Sequence, residues 1–385
     1  MRIFHNLKNN RPSPASALML KVCTAAIIFS ASYPARAQIL KDSAAINTII
    51  RGMQNIYNIE FEEAGKAYNS LARMYPGHPV LHLFSGMKIY WENFPMNPAS
   101  NARKSFEAEL RACIDQSDKN DYPRPEYEAE YRLANICARG LLLLFLSEND
   151  QSGDVIPLVT SSYRPLIHTF GFTSSCPDFY YFTGVYNYYR EAYPIVYPVY
   201  KAVAFMFPKG NMELGLRQLE ECGKNSIALR AEAYVMLSWI RMNFESNFQQ
   251  ALPYSRHLSD QYPSNPLFRI YLVKNLLLLK KYNEAEDLIR AGRNASVSTF
   301  YDATIEVFKG IIQEKEYKNP DSARNHYLKG IDDLAIFGPY AYEYVGYGYL
   351  GLSRISSAEG NNRESRAYRR KGADLVDFKN ITFDN

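Results

Sequence analysis

Residues 61–79 of the chain read FEEAGKAYNSLARMYPGHP, and residues 248–266, 187 positions later, read FQQALPYSRHLSDQYPSNP. Six of the nineteen aligned positions are identical: the opening Phe, the Ala three residues on, a central Leu, a Tyr-Pro pair and a final Pro. These positions fall where a short helix packs closely at its start and stops at its end. A segment that returns in this form predicts an array of helical repeats, which usually acts by holding other molecules.

Small residues, and residues that begin or end helices, extend the pattern along the chain. A tetratricopeptide unit has two antiparallel helices in about 34 residues, with small residues at the helix crossing and Pro after the second helix. The chain resembles this family through at least four units. The residues that carry the resemblance are Gly52, Phe61, Ala64, Tyr68, Leu71 and Pro76 in the first unit, Gly184 and Gly215 in the second, Phe248, Ala251, Leu258 and Pro263 in the third, and Tyr282, Ala285 and Ile289 in the fourth.

The tail carries the same signals. Asn319 is typical of an N-cap with Pro320 as the first helical residue, and Gly351 suits a later helix crossing. We therefore predict an all-α chain, an α-solenoid of antiparallel helix pairs in a tetratricopeptide-like superhelix that is irregular in the middle, clearest at residues 93–125. One long helix is expected from Arg124 to Ser147.

The first 37 residues predict a secretory signal peptide. They contain basic residues, an eleven-residue apolar run from Val22 to Ser32 and the small-x-small sequence Ala35-Arg36-Ala37. The run is shorter than the roughly 20 residues of a membrane-spanning helix, so we expect no integral span after cleavage. Residues 38–385 then form the repeat domain, with a periplasmic or outer-envelope location if the source is bacterial.

Charge argues against nucleic acid as a partner. Five of the 44 basic residues lie in the predicted leader, which has no acidic residue, leaving 39 basic against 40 acidic residues. A chain without net positive charge has no overall field to attract a polyphosphate.

The cysteines leave two interpretations open. Cys113, Cys137, Cys176 and Cys222 remain after cleavage and could form two disulfides in any of three pairings, since an exported chain meets oxidising conditions. Four small buried hydrophobic residues are an equal alternative.

An aromatic block occupies residues 179–207, of which twelve are Phe or Tyr. The family register implies that some of these rings face the concave groove, where tyrosines could stack on a sugar or hold an extended peptide. Solenoid core is the alternative for most of them, and membrane contact by Ala192–Pro208, interrupted by prolines, is a third. The candidate partner-binding residues are Tyr57, Tyr181, Tyr188, Tyr189 and Lys274.

A shorter segment bears a second, local resemblance. Tyr193–Cys222, with an apolar run containing prolines followed by Lys209–Leu216, is similar to the central region of the tetratricopeptide-repeat protein 39 family. The similarity covers about thirty residues and implies no function by itself.

Motifs for chemistry are weak. Gly346–Gly351 matches G-x-G-x-x-G, but in a helical pattern rather than after a strand, so we expect no nucleotide cofactor. His78 and His82 are four residues apart but have no evident third ligand, so we expect no metal. We predict a chain that is not an enzyme. A buried pair of Glu side chains with raised pKa at the groove floor would instead favour a hydrolase.

The predicted function is that of an exported, non-catalytic scaffold that binds a protein or peptide partner in its concave groove. The positions at which cytosolic relatives capture a terminal dicarboxylate hold Ile49, Met53, Tyr181, Val185, Ile270 and Lys274 here, which does not support that specificity. The alternative is a glycan-binding or nutrient-uptake component of the outer envelope that uses the tyrosines as a platform.

Overall fold

The computed structural model describes residues 38–119, 122, 124–198, 201–205, 207–292, 299–381, 383 and 384. The predicted signal peptide, residues 1–37, lies outside the described residues. No strand occurs in the described part, which confirms the all-α prediction. The helices are α1 Ser43–Tyr57, α2 Phe61–Met74, α3 Val80–Glu92, α4 Arg103–Asp118, α5 Glu128–Glu148, α6 Ser152–Thr169, α7 Phe179–Val196, α8 Met212–Asn225, α9 Arg230–Trp239, α10 Phe248–Gln261, α11 Pro266–Leu278, α12 Tyr282–Ala291, α13 Thr299–Lys315, α14 Pro320–Leu334, α15 Tyr342–Ala358 and α16 Asn362–Leu375.

The helices pack in chain order, each against its neighbours, which is the arrangement of an α-solenoid. Short segments join them. A helical turn covers Lys201–Ala204, a π-helical segment, Ile240–Phe244, prolongs α9, and a 3₁₀ segment, Ala335–Ala341, connects α14 to α15. Within the ranges that the structure describes, no helix combines the length and apolarity needed to cross a membrane.

The repeated sequence has a repeated structure. Helices α2 and α10 each end before a tyrosine, Tyr75 and Tyr262, whose backbone angles are nearly equal (φ −131°, ψ 59° and φ −127°, ψ 63°). Three residues later, His78 Nδ1 and Asn265 Oδ1 each accept the backbone N–H two positions on, at 3.1 and 3.0 Å. His78 therefore helps to begin α3, just as Asn265 caps α11.

Small residues allow the helix pairs to approach closely. A Cβ added to Gly184 would lie 2.9 Å from the carbonyl oxygen of Gly215, and one added to Gly215 would lie 2.7 Å from that of Gly184. At Gly351 an added Cβ would lie 2.3 Å from the Tyr327 ring. The prediction that these glycines stand at helix crossings is confirmed, because any side chain there would push the backbones apart.

Two predicted local features can be compared with the structure. Asn319 caps α14 by accepting the Ser322 N–H at 3.1 Å, and Pro320 is the first helical residue, as predicted. The long helix predicted from Arg124 instead begins at Glu128. Arg124 is extended (φ −157°, ψ 158°) because the residue before a proline is disfavoured in the helical region.

The odd-numbered helices form one layer of the solenoid, in which α1 contacts α3, α3 contacts α5, α7 contacts α9, and α13 contacts both α11 and α15. We call it the inner layer, because side chains of several of its helices meet those of distant units. The Tyr57 ring at the end of α1 lies 5.8 Å from the Phe268 ring of α11, and the Trp91 ring of α3 lies 5.9 Å from it. Phe94, just past α3, contacts Phe300 of α13 at 6.2 Å. The beginning of the chain thus closes against its second half across the inside of the superhelix.

Candidate functional site

An accessible row of side chains follows the inner face of α7. Tyr181, Val185, Tyr189 and Tyr193 recur every four residues, a spacing that places them on one face of a helix. The first three are partly exposed, and Tyr193 is 39% exposed. We call these four residues the α7 strip.

A buried carboxylate holds the helices beside the strip in place. Asp178, just before α7, is fully buried, and its two oxygens accept the N–H groups of Ile227 (2.7 Å), Ala228 (2.7 Å) and Leu229 (3.0 Å), which lead into α9. Because these N–H groups precede a helix, the carboxylate satisfies donors that would otherwise lack partners. Asp178 therefore fixes the start of α9 against the start of α7.

Helix α9 supplies the facing side of the strip. The hydroxyl of Tyr189 donates to Met236 Sδ at 3.3 Å, and Met236 is itself partly exposed. The Tyr189 ring is edge-on to Tyr193 and to Phe244, with centroids 6.4 and 5.0 Å away. Burial raises the pKa of Tyr181 and of Tyr189 above the ordinary value of 10, so both hydroxyls stay neutral and can donate hydrogen bonds.

The opposite face of α7 belongs to the core. Tyr188 has no exposed surface, and its hydroxyl donates to Glu245 Oε1 at 3.2 Å. It packs in one cluster with Leu219 and Ile240. Tyr188 therefore holds α7 to α8 and to the end of α9, while its neighbour Tyr189 stays accessible.

Elsewhere the inner layer is filled rather than open. Tyr57 is buried among Trp91, Tyr262 and Phe268, and its hydroxyl donates to Glu232 of α9. Asn265 adds a hydrogen bond from its amide to the Tyr57 carbonyl at 2.9 Å. These contacts join α1 to α9 and α11.

Lys274 lies in a second filled region, at 2% exposure. Its Nζ donates to Glu343 Oε1 at 2.6 Å and lies 5.7 Å from the Trp239 ring centre. The Tyr347 hydroxyl donates to the same Glu343 oxygen at 2.5 Å. A buried ammonium requires such partners because its desolvation is costly, so Lys274 ties α11 to α15.

Two glutamates of the inner layer hold protons unusually tightly. Burial raises the pKa of Glu148 to about 7 and the pKa of Glu232 to about 8. Glu148 accepts the Tyr90 hydroxyl at 2.7 Å and is also hydrogen-bonded to Tyr340. Glu232 accepts the Tyr57 hydroxyl, and its second oxygen is buried without a hydrogen-bond partner.

These glutamates meet the raised-pKa part of the criterion that would favour a hydrolase, but they belong to different groups of residues. Glu148 links α5 to α3 and to the segment before α15, whereas Glu232 links α9 to α1. Hydrolysis of a glycoside requires two carboxyl groups on either side of one bond. Glu148 instead accepts hydrogen bonds from Tyr90 and Tyr340, and Glu232 accepts one from Tyr57.

The five predicted binding residues thus separate into two groups. Tyr181 and Tyr189 come together on the α7 strip, whereas Tyr57, Tyr188 and Lys274 are buried in three different places. The sequence placed Val185 at a groove position, but Tyr193 and Met236 were missed as members of the accessible surface. The four-residue spacing from Tyr181 could have indicated Tyr193, but the contact with Met236 depends on tertiary packing.

The other motifs have packing roles. Gly346–Gly351 lies inside α15. His78 Nε2 lies 3.3 Å from Glu130 Oε1 and His82 Nδ1 lies 2.7 Å from Glu109 Oε2, so each histidine has its own partner. Considering only described residues, no group of three or more His, Cys, Asp or Glu side chains could hold a metal. The four cysteines among the described residues, Cys113, Cys137, Cys176 and Cys222, are free thiols, and Cys176 donates to Asp178 Oδ2 at 3.1 Å.

A separate cleft of about 250 Å³ opens between α12, α13 and α14. Its lining mixes acidic and basic side chains with two isoleucines and includes none of the predicted binding residues. The lining residues are Glu286, Ile289, Arg290, Lys309, Ile312, Gln313 and His326.

A scan against protein-family models gives no match for the chain, and a search of the curated proteins gives none either.

Proposed function

We propose that the chain is an exported, non-catalytic scaffold of the tetratricopeptide type that holds a protein or peptide partner along the α7 strip. The single observation that carries the proposal is the accessible surface of Tyr181, Val185, Tyr189 and Tyr193, which lie four residues apart along one face of α7. Tyrosine offers a flat apolar face with a hydroxyl and loses little rotamer entropy on binding.

The surroundings of the strip favour a peptide with apolar side chains. Met236 lies opposite Tyr189, and a flexible thioether adapts to different side chains. No charged residue belongs to the strip, so affinity would depend on apolar burial and on hydrogen bonds from neutral hydroxyls.

The glycan-binding alternative has less support. A sugar platform requires exposed rings in nearly one plane, but the Tyr189 and Tyr193 rings are inclined by 63°. The strip therefore suits an irregular peptide surface better than a flat sugar ring.

The test selects peptides from a displayed random library on the purified protein and measures binding of the enriched peptides by fluorescence anisotropy. We expect Tyr181→Ala/Tyr189→Ala to weaken binding about tenfold or more, as losing aromatic anchors does. Tyr317→Ala, a change to an exposed tyrosine at the far end of α13, should leave affinity unchanged.

Two results would overturn the proposal. One is a selection in which no enriched peptide binds the wild type more tightly than the double variant. The other is equal binding by all three proteins. Export is tested separately, by mass spectrometry of the N-terminus of the protein recovered from the envelope fraction, where a chain starting at residue 38 is expected.

A further inference from the structure

We call residues 195–198, 201–205 and 207–209, which are the last two residues of α7 and the described chain after it, the loop. The loop is tied at its base to α7. The Tyr186 hydroxyl donates to the Pro208 carbonyl at 2.8 Å, and Arg190 Nη2 donates to the Phe207 carbonyl at 3.1 Å. The Gly210 N–H donates to Glu191 Oε1 at 2.9 Å. The chain therefore leaves the end of α7 and is brought back against the same helix.

Apolar side chains of this loop point away from the core. Phe205 is 87% exposed, Ile195 is 70% exposed, and Val196 is also exposed. Single exposed apolar residues are common, but several within one short segment mark an interaction surface.

The charges of the loop have one sign. Between Ala192 and Met212 the only charged residues are Lys201 and Lys209, and both are exposed. The nearest acidic side chain before the loop, Glu191, is engaged by Arg190 at 3.1 Å and by the backbone at Gly210. The loop thus combines apolar groups with two exposed lysines and contains no acidic residue.

We propose that this loop, defined by Ile195, Val196, Lys201, Phe205 and Lys209, docks the protein on the surface of an anionic phospholipid membrane. Apolar side chains would enter the boundary between headgroups and acyl chains while the ammonium groups contact lipid phosphates. A second copy of the chain fits less well, because a two-fold contact through the same loop would bring lysines of both copies together.

The loop docks at a surface and does not span the membrane. It also lies outside the α7 strip, so the inference does not rest on the proposed partner binding. Loss of peptide binding and loss of membrane binding are separate results, measured on different variants.

The experiment measures sedimentation of the purified protein with phosphatidylcholine vesicles that contain phosphatidylglycerol, and with vesicles of phosphatidylcholine alone. We expect binding to the anionic vesicles that falls with added salt. Ile195→Ser/Phe205→Ser should reduce the partition coefficient about tenfold or more, since it removes the inserted apolar groups. Lys201→Glu/Lys209→Glu should reduce it to a similar extent.

Matched controls make the test specific. Ile156 on α6 is 69% exposed, almost the same as Ile195, so Ile156→Ser removes an equally exposed isoleucine outside the loop. Lys280→Glu/Lys379→Glu makes the same charge change at two other exposed lysines. Both controls should bind vesicles like the wild type. Every variant carries the same N-terminus, so differences report on the substituted positions.

Three results would overturn the inference. The wild type could fail to sediment with anionic vesicles, or the Ile156→Ser control could lose as much binding as the loop variant. Light scattering could also show a dimer that the Phe205 substitution dissociates, which would make the loop an interface between copies. Circular dichroism of each loop variant should match the wild type, because these side chains contribute little to the core.

Discussion

Helices α7 and α15 both belong to the inner layer and both carry several tyrosines, but they differ in what lies opposite them. Opposite α15, Lys274 binds Glu343, and Phe94 packs 5.2 Å from Tyr340, which lies just before the helix. Tyr344 and Tyr347 are buried as a result. Opposite α7, the strip meets Met236 and stays accessible.

The difference shows that tyrosine content does not identify a binding surface in this solenoid. The same residue type forms a closed core where distant units meet and an accessible surface where they do not. The hydroxyl partners differ in the same way, since Tyr347 donates to a carboxylate and Tyr189 to a thioether. Four substitution experiments can break or sharpen this comparison.

The largest effect is expected at Tyr188. Tyr188→Ala should lower the free energy of unfolding by about 3 to 5 kcal/mol, because it leaves a cavity at a fully buried site. Tyr347→Ala in α15 should cost a similar amount, since that ring is also buried. Urea denaturation monitored by circular dichroism provides the measurement. If Tyr188→Ala lowered the free energy of unfolding only slightly while Tyr347→Ala lowered it strongly, the face of α7 that carries Tyr188 would not belong to the core.

The next largest loss of stability is expected at the ion pair between Glu314 of α13 and Arg354 of α15. Glu314 accepts Arg354 Nε at 2.7 Å, Arg354 Nη2 at 2.9 Å and the Tyr327 hydroxyl at 2.7 Å. Glu314→Ala should lower the free energy of unfolding by about 3 kcal/mol, because a largely buried guanidinium loses its main carboxylate. Glu213→Ala on α8, which removes an exposed ion pair with Arg217, should cost less than about 1 kcal/mol. Similar costs in urea denaturation would contradict the expected difference in burial.

A smaller effect depends on pH. Because burial raises the pKa of Glu148 to about 7, the folded chain holds a proton that the unfolded chain releases above its ordinary pKa of 4.5. This contribution to stability is complete below about pH 4.5 and is lost as the pH rises through about 7. We expect a loss of about 2.5 kcal/mol between about pH 4.5 and 7, since each pH unit over which the folded chain holds one more proton costs about 1.4 kcal/mol and protonation is only half complete at the two ends of the range.

Glu148→Gln tests the assignment, because the amide stays neutral at every pH. The variant should show a flatter dependence of the free energy of unfolding on pH than the wild type, whereas Glu62→Gln at an exposed position should not. Glu232, whose pKa burial raises to about 8, should add a second loss at slightly higher pH. A stability that rises between about pH 5 and 7 in the wild type and not in Glu148→Gln would reverse the predicted sign.

The smallest effect is expected at the exposed tyrosines. Tyr193→Ala on the strip and Tyr342→Ala at the start of α15, where the ring is 45% exposed, should each change the free energy of unfolding by less than about 0.5 kcal/mol. Only Tyr193→Ala should weaken binding of the selected peptides. Equal peptide binding by these two variants would remove Tyr193 from the proposed surface.

Much of the fold could be predicted from local signals. Gly184, Gly215 and Gly351 were expected at crossings, and each lies where a side chain would collide with a neighbouring helix. Asn319 and Pro320 were expected to begin a helix, and they do. Such features depend on backbone geometry within a few residues or on contacts between adjacent helices, which the sequence encodes directly.

The candidate site was less predictable. The sequence predicted Tyr57, Tyr188 and Lys274 as partner-binding residues together with Tyr181 and Tyr189, but the first three are buried. Tyr188 and Tyr189 lie on different faces of α7, and the sequence does not show which of these faces other helices cover. Tyr57 and Lys274 are buried by residues 175 and 69 positions away, Glu232 and Glu343.

By itself, the sequence determined that the chain is helical, that its helices pair in order and where several of them begin and cross. These features follow from interactions between residues close in the chain. Only the tertiary structure decided which inner side chains would be covered, because the first units pack against units more than 170 residues later. Such closure depends on the summed curvature of the whole array, to which each crossing adds a small rotation.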